Sequence, residues 1–462
     1  MKKLAELLKH GSRFWESILR LLILQALLLR ASIPFVVNPV YFDVTDPIRH
    51  FRYATEPLFL SPMSVMDAPL YQVWLTLINK LTVSDAFLLS VHSAVLSLVT
   101  PWLWYLFLKE ALPQDRRLAL IGFAILAWLP SWMGIFSYFM PETILLPLLG
   151  LSLWATYRAR SNPSNSRLAV ASLCWTLAVL AKVVVLPAAI VAGFWMAADR
   201  SGINWKKVSI MLGVGSILLF PAAYLTYRVL NIPSPFGFPE MNRIYFESGK
   251  KAVKAHYTKN SGANKWNYIF QSPSIETEPF YPFSKWISTR SKSADLEISV
   301  DLDKGLEDWL RESQKNKGDL SLRLRMLSEN AIMILFGRSW PDETSRKFLF
   351  VPHDWMRFLW APLAVLVLAG NLWVLGKRRK MELLPTLVTV TLVFFFCLPA
   401  AVGEGRYRKP LEGLLVANAL WLVMMSRKKR SGYDDDFLSS GGLFRSSQNQ
   451  ETCNQGACSK GD

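Results

Sequence analysis

One stretch reads Pro39-Val40-Tyr41-Phe42-Asp43-Val44-Thr45-Asp46-Pro47-Ile48-Arg49 and begins directly after a mostly apolar run at 18–37. A run of roughly 20 apolar residues is long enough to cross a bilayer as a helix. Asp43 and Asp46 are therefore expected close to a membrane surface, with Arg49 and Arg52 shortly behind them. Carboxylates in that place form a candidate site for chemistry on a lipid-borne substrate.

The composition is typical of a membrane protein. Of the 462 residues, 52% are hydrophobic, and the formal net charge is +17. The cationic residues fall in short clusters between apolar runs, as the positive-inside rule describes, so the charge does not indicate nucleic-acid binding. The four cysteines have no spacing that indicates a disulfide framework or a zinc site.

Ten apolar segments are predicted to cross the membrane. They are 18–37, 86–108, 118–138, 142–157, 167–181, 183–198, 207–228, 355–375, 383–402 and 410–426. Basic clusters occur at every second junction, which places those junctions and both termini in the cytoplasm. The sequence thus predicts a multi-pass protein of a bacterial inner membrane with four outward regions: 38–85, 138–142, 229–354 and 403–409.

The predicted fold is an all-α polytopic membrane domain of about ten helices, with a small α+β extracytoplasmic domain inserted between helices 7 and 8. Its parts are an N-terminal membrane domain at 1–228 with a catalytic first outer loop at 38–85, the inserted domain at 229–354, C-terminal membrane helices at 355–426 and a disordered cytoplasmic tail at 427–462. Within the inserted domain, residues 296–302 alternate as a strand does, and 306–333 are mostly helical in pattern.

The first outer loop contains the residues best suited to acid–base chemistry. A carboxylate such as Asp43 or Asp46 deprotonates an acceptor or holds a divalent metal ion, and Arg49 is suited to bind a phosphate with two hydrogen bonds. The alternative is an ordinary solvated loop, in which Asp46 caps a helix at 47–56 and Pro47 occupies its first position.

Two further ionisable residues are predicted at outer helix ends. Lys182 follows the segment 167–181, where it can reach an anionic group or, alternatively, extend along the membrane interface to water. Glu142 begins the segment 142–157, either as a functional acid or only as an acid favoured at a helix N-terminus.

The outer turn Gly403-Glu404-Gly405-Arg406-Tyr407-Arg408-Lys409-Pro410 carries three cations on a side where short loops are usually poor in them. A basic turn next to an acidic loop suits a phosphate or pyrophosphate group. The alternative is a structural ion-pair network with Asp46 or Glu404.

Five short motifs occur in a fixed order on the predicted outer face. They are Asp46 with Arg49 and Ala54, then Ala68-Pro69-Leu70-Tyr71-Gln72-Val73-Trp74, then Glu142, then Leu177-Ala178-Val179-Leu180-Ala181-Lys182, and finally Arg406-Tyr407-Arg408-Lys409-Pro410. Together they resemble the GT-C superfamily of membrane glycosyltransferases, which use polyprenyl-phosphate-linked sugars, and in particular protein O-mannosyltransferase-like enzymes and lipid A aminoarabinose transferases. The chain departs from the pattern at Pro47 (commonly an acid), at Asp67-Ala68 (a phosphate-binding lysine) and at Val183 (usually glycine).

The resemblance implies an inverting transfer of a hexosyl or pentosyl group from a polyprenyl-phosphate donor to an extracytoplasmic protein, lipid or envelope polysaccharide. Asp46 would be the general base, with Asp43 or Glu142 assisting it, and a divalent metal ion, if present, would bind at Asp43 and Asp46. No other cofactor is predicted. The donor phosphate would be bound by four side chains: Arg49, Lys182, Arg406 and Tyr407.

Two other functions are compatible with a polytopic chain. A transporter or flippase for a lipid-linked or anionic substrate requires ionisable residues near the bilayer midplane and related halves. His92 is one of few central candidates, and no internal repeat is evident. The other alternative is a non-catalytic subunit of a polysaccharide assembly system.

Overall fold

The computed structural model is mostly helical. It describes residues 2–41, 45–55, 62–65, 69–199, 202–237, 244, 247–250, 252–260, 262–271, 295–337, 353–377, 382–397 and 405–430. Asp43, Asp67-Ala68, Glu404 and the predicted tail beyond residue 430 lie outside the described residues.

The apolar runs form helices at the predicted places. The α-helices of the described residues are α1 (Lys2–Val36), α2 (Thr45–Thr55), α3 (Leu70–Leu81), α4 (Ala86–Ala111), α5 (Arg116–Trp128), α6 (Pro130–Gly134), α7 (Glu142–Ser161), α8 (Asn165–Ala181), α9 (Leu186–Ala197), α10 (Trp205–Leu230), α11 (Leu306–Lys315), α12 (Leu320–Phe336), α13 (His353–Lys377), α14 (Leu383–Cys397) and α15 (Lys409–Arg430). Each of the ten predicted segments coincides with one helix or, at 118–138, with a broken pair of helices.

Length and apolar composition separate these helices into two groups. Among the described residues, four helices are long and apolar enough to cross a membrane: Phe14–Val36, Ala86–Ala111, Trp205–Leu230 and Met356–Lys377. The pair Arg116–Trp128 and Pro130–Ser137, bent by 54°, makes a fifth if it is counted as one span. Asn165–Ala181, Val183–Ala197 and Leu383–Phe395 are apolar but shorter. Ten spans therefore remain a prediction.

The centre of the helical bundle is packed around the fully buried ring of Trp104 on α4. A Cβ atom at Gly150 of α7 would lie 2.6 Å from the ring, and one at Gly413 of α15 would lie 2.6 Å from its far edge. The two glycines thus let α7 and α15 approach α4 closely, as small residues do between membrane helices. The Trp104 indole N–H donates to the Leu146 carbonyl over 2.9 Å, which leaves no polar group unpaired on this buried ring.

The break between α5 and α6 is stabilised by a buried cation that the sequence analysis did not single out. Pro130 begins α6, and the break frees carbonyl groups near the end of α5. Arg30 of α1 donates to the carbonyls of Leu126 and Ala127 over 2.8 Å and 2.7 Å. Its side chain is fully buried, so the guanidinium satisfies backbone groups that neither lipid nor water can reach.

The region between α10 and α13 contains a three-stranded sheet of β3 (Ala252–Lys259), β4 (Asn264–Gln271) and β5 (Leu296–Asp301), in the order β4-β3-β5. The strands β3 and β4 pair antiparallel, and β3 and β5 pair parallel, with Ala255 opposite Ile298. Tyr257 and Trp309 are buried in a hydrophobic cluster of this region, apart from the main core. The strand prediction at 296–302 is confirmed, and the predicted helical stretch 306–333 forms α11 and α12.

A short hairpin, β1 (Ala198–Asp199) and β2 (Gly202–Ile203), joins α9 to α10. Asn204 caps α10 by accepting the Lys207 N–H, and the Lys207 ammonium donates to Asp199 over 2.5 Å. These polar contacts end α9 sharply and allow α10 to return across the bundle.

Candidate active site

Asp46 is held by two arginines that come from opposite ends of the chain. It lies in the first turn of α2. Arg406 Nη1 donates to Asp46 Oδ2 over 2.8 Å, and Arg49 Nε lies 3.7 Å from Asp46 Oδ1. The alternative in which Asp46 only caps a helix at 47–56 does not fit, because α2 begins at Thr45 and the carboxylate pairs with guanidinium groups.

The environment keeps the Asp46 carboxyl group ionised. Burial raises the pKa of Asp46, but the charges of Arg406, Arg49 and His50 lower it by more, and the pKa lies well below its usual range. Asp46 is therefore in the proton-accepting form at neutral pH. The charges of the guanidinium groups make it a weak base in this arrangement.

Lys182 and Glu142 form a second ion pair beside the first. Lys182 caps the C-terminal end of α8, and its Nζ donates to Oε1 of Glu142, the first residue of α7. The Glu142 side chain is fully buried and that of Lys182 is 14% exposed. Lys182 therefore does not extend along the interface to water, and Glu142 is more than an exposed acid at a helix start.

The Tyr407 ring joins the two ion pairs. The Lys182 Nζ atom lies 4.0 Å from the ring centre, and the Arg406 guanidinium carbon lies 5.4 Å from it. Cations are attracted to an aromatic face, so this ring holds two positive charges close together without neutralising them. The five charged side chains are named the donor cluster: Asp46, Arg49, Glu142, Lys182 and Arg406.

The backbone at Lys182 explains why valine is tolerated after it. Lys182 is extended, with φ −161° and ψ 120°, and the next residues form a short 3₁₀ helix, Val183–Val185. Val183 does not have a positive φ. The position therefore makes no conformational demand for glycine, and the departure from the family pattern leaves Lys182 in place.

Aromatic contacts dock the first outer loop onto the bundle. The rings of Phe51 and Phe139 are stacked with centres 4.9 Å apart, and His50 meets Tyr71 edge to face at 5.1 Å. Tyr71 lies in the Pro69-Leu70-Tyr71 motif, and its hydroxyl hydrogen-bonds Thr143. These contacts, from α2 and α3, hold the segment that contains Asp46 against the N-terminal end of α7.

The three cations of the outer turn do not share one role. Arg406, in the 3₁₀ helix Gly405–Arg408, points to Asp46. Arg408 and Lys409 are fully buried and point away, to Glu412 and to the Ser131 carbonyl. Arg408 and Lys409 therefore belong to a structural network behind the turn and are not available to a phosphate. Arg406 pairs with Asp46, as the alternative of an ion-pair network expected, and it is the one cation of the three that lies in the donor cluster.

The residues around Asp46 do not suit a metal ion. Both of its carboxylate oxygens face guanidinium groups, and a divalent cation would replace favourable pairing with repulsion. The described residues contain no group of three or more His, Cys, Asp or Glu side chains that could hold a metal. Asp43, the other suggested ligand, lies outside the described residues.

Several buried residues that support the fold around the site were missed from the sequence, although signals existed for some. Glu412 follows Arg408 by four positions, the spacing at which helical side chains pair. Arg30 lies inside an apolar run, and an ionisable residue there is a functional candidate by default. Ser131 and Trp132 give no comparable signal, because their partners at 409–412 are remote in sequence.

A family model for dolichyl-phosphate-mannose-protein mannosyltransferases matches residues 66–227. The GT-C resemblance is confirmed over this region. The matched region contains Glu142 and Lys182 but not Asp46 or Arg406, so the latter two are placed beside it by the contacts of the fold. No curated protein sequence matches the chain.

A solved structure is similar in part to this chain. It is the oligosaccharyltransferase of Archaeoglobus fulgidus, tethered to an acceptor peptide with an NVT sequon through a disulfide bond. The similarity covers 92% of this chain, at 13% sequence identity and a TM-score of 0.46. It covers 52% of the archaeal chain, so this chain spans about half the length of that structure.

Proposed function

We propose that this chain is a membrane glycosyltransferase that transfers a sugar from a polyprenyl-phosphate donor to an extracytoplasmic acceptor with inversion. The observation that carries the proposal is the donor cluster, in which Arg406 reaches Asp46 over 2.8 Å beside the Lys182–Glu142 pair. Three cations lie against two carboxylates near the ends of α2, α7 and α8, an arrangement that suits the binding of an anionic group.

The charge of the donor cluster fits this chemistry. Arg49, Lys182 and Arg406 carry three positive charges, and Asp46 and Glu142 carry two negative ones, which leaves an excess of one. A sugar–phosphate–lipid donor is a phosphodiester with a single negative charge, so its binding neutralises the cluster. Guanidinium groups bind phosphate oxygens in bidentate fashion, and Tyr407 positions two of the cations.

The transfer step agrees with the same count of charges in the donor cluster. The acceptor's nucleophilic atom gives its proton to Asp46 and attacks the anomeric carbon of the sugar from the side opposite the phosphate. The bond between this carbon and the phosphate oxygen breaks, and the electron pair leaves with the lipid phosphate. Asp46 is now neutral, and the cluster has an excess of two positive charges to stabilise a phosphate monoester of up to two negative charges.

The donor phosphate also prepares the base. As Arg406 and Arg49 turn toward the phosphate, they withdraw the charges that depress the pKa of Asp46. The carboxylate then gains basicity at the stage when the acceptor needs a base. No step in this account requires a metal ion at Asp46, since the two guanidinium groups already supply positive charge there.

The test uses purified full-length protein with polyprenyl-phosphate donors that carry a radiolabelled hexose or pentose, and membrane extracts as the source of acceptors. We expect label transfer and a product of opposite anomeric configuration. The matched comparison is Asp46→Asn against Asp115→Asn, since Asp115 pairs with Arg427 at the far end of α15. Activity should be lost in the first variant and kept in the second.

The same test separates the transferase from both alternatives, since neither of them releases lipid phosphate. A transporter or flippase would move the intact lipid-linked substrate between leaflets without breaking the sugar–phosphate bond. A non-catalytic subunit would show no release of free lipid phosphate with any donor. If the wild-type protein releases no lipid phosphate from any of the donors, the proposed function is wrong.

A further inference from the structure

The turn that carries Arg406 and Tyr407 rests on charged groups that lie behind it. Arg408 Nε donates to Glu412 Oε1 over 2.9 Å, and the Ser131 hydroxyl donates to Glu412 Oε2. Arg408 and Glu412 are both fully buried. The start of α15 is thereby attached to α6, the second helix of the broken pair.

Lys409, the next residue, also attaches the start of α15 to α6. Its Nζ donates to the Ser131 carbonyl over 2.7 Å, and the Trp132 indole N–H donates to the Lys409 carbonyl over 3.1 Å. Lys409 is fully buried. These five residues are named the buried frame: Ser131, Trp132, Arg408, Lys409 and Glu412.

Arg408 also ties the frame to the outward region. Its Nη1 atom donates to the carbonyls of Ile334, Leu335 and Gly337 over 3.0, 3.0 and 3.1 Å. These carbonyls lie at the C-terminal end of α12, where the last carbonyl groups of a helix lack partners within the helix. The guanidinium therefore joins three elements, α12, α15 and, through Glu412, α6.

We infer that Arg408, Lys409 and Glu412 are positioning residues, which hold Arg406 and Tyr407 at the donor phosphate. The inference rests on the proposed function. Stability alone is a poor reason for this arrangement, because a buried ion pair is often no more stable than apolar residues of similar volume. The placement of Arg406 and Tyr407 is a better reason for the arrangement. These two residues lie in a four-residue 3₁₀ helix that has few internal hydrogen bonds of its own.

The test compares two variants of the frame with a matched control. Glu412→Gln keeps the shape of the side chain and removes its charge. Trp132→Phe removes one hydrogen bond and part of a fully buried ring but keeps every charge of the buried frame, and it serves as the second variant should Glu412→Gln fail to fold. The control is Asp115→Asn, which removes the charge of an exposed ion pair at the opposite end of α15 while an amide can still cap α5.

Binding of polyprenyl monophosphate is measured by calorimetry in detergent, and donor and acceptor KM values are measured in the transfer assay. We expect Trp132→Phe to weaken phosphate binding by about three- to tenfold and Glu412→Gln by about tenfold or more. The acceptor KM should be unchanged, and Asp115→Asn should bind as the wild type does. Equal binding in all variants would overturn the inference.

A second measurement requires no ligand. If the frame places Arg406 on Asp46, the destabilisation caused by Asp46→Asn is smaller in the Trp132→Phe background than in the wild type, and the two unfolding effects are not additive. Additive effects would overturn the inference. Non-additive effects in a protein that binds no polyprenyl phosphate would support the placement of Arg406 by the buried frame and would reject the proposed function instead.

Discussion

Replacement of Lys182 by methionine removes the charge that faces Glu142 and keeps an unbranched side chain of similar length. The Glu142 side chain is fully buried, and that of Lys182 is only 14% exposed. The change therefore leaves a carboxylate in the interior without its ammonium partner. We expect both the fold and donor binding to weaken, for different reasons.

The loss of stability follows from this burial. Breaking a buried ion pair by removing one partner costs about 3–5 kcal/mol, because the remaining charge is left uncompensated. The double variant Lys182→Met/Glu142→Gln removes both charges and should recover most of that loss. Donor binding should not recover, since one charge-assisted hydrogen bond to the phosphate, worth roughly 1.5–3 kcal/mol, is absent in both variants.

The assay is unfolding by SDS in mixed micelles, followed by tryptophan fluorescence, in parallel with calorimetric binding of polyprenyl monophosphate. The single variant Lys182→Met should be unstable, the double variant should be stable, and both should bind the lipid phosphate weakly. A Lys182→Met protein as stable as the wild type, or a double variant that binds the lipid phosphate normally, would contradict this prediction.

Three further predictions concern other parts of the chain. Arg30→Met should destabilise the fold by about 1–3 kcal/mol for each carbonyl left without a donor. The control is Arg20→Met, because Arg20 is exposed on the same helix; it should leave the stability unchanged in the same unfolding assay. Reporter fusions should give an outside signal at 403–409 and an inside signal after Lys380; an outside signal after Lys380 would reject the ten-span topology. The stability that the ionised Asp46 carboxylate contributes is present above its unfolded pKa of about 4 and is lost as the pH falls through its lower folded pKa. The difference in unfolding temperature between the wild type and Asp46→Asn should therefore still be present at about pH 5 and should shrink below about pH 4.

The positions of the helices were readable from the sequence because apolar length alone nearly determines a membrane helix. The predicted segment 86–108 became Ala86–Ala111, and 207–228 became Trp205–Leu230. The segment 118–138 was predicted as one helix and is two, bent by 54°. Pro130 was a local signal for the break, but the guanidinium that makes the break tolerable comes from Arg30, far away in the sequence.

The membership of the donor cluster was predictable, and its geometry was not. Asp46, Lys182 and Arg406 attracted attention because isolated ionisable residues beside apolar helices are costly without partners. Which cation of the outer turn faces Asp46 depends on the rotation of a single 3₁₀ turn. That rotation is set by contacts of Arg408 and Lys409 with α6 and α12, which no local pattern reveals.

The central claim is that Arg49, Lys182 and Arg406 form one phosphate site beside Asp46. An electron cryomicroscopy structure of the full-length protein with polyprenyl monophosphate tests it most directly. The account predicts phosphate density in contact with all three cations, and an Arg406 guanidinium that has turned from Asp46 toward the phosphate. Phosphate density elsewhere on the molecule, with the Asp46–Arg406 and Glu142–Lys182 pairs undisturbed, would contradict it.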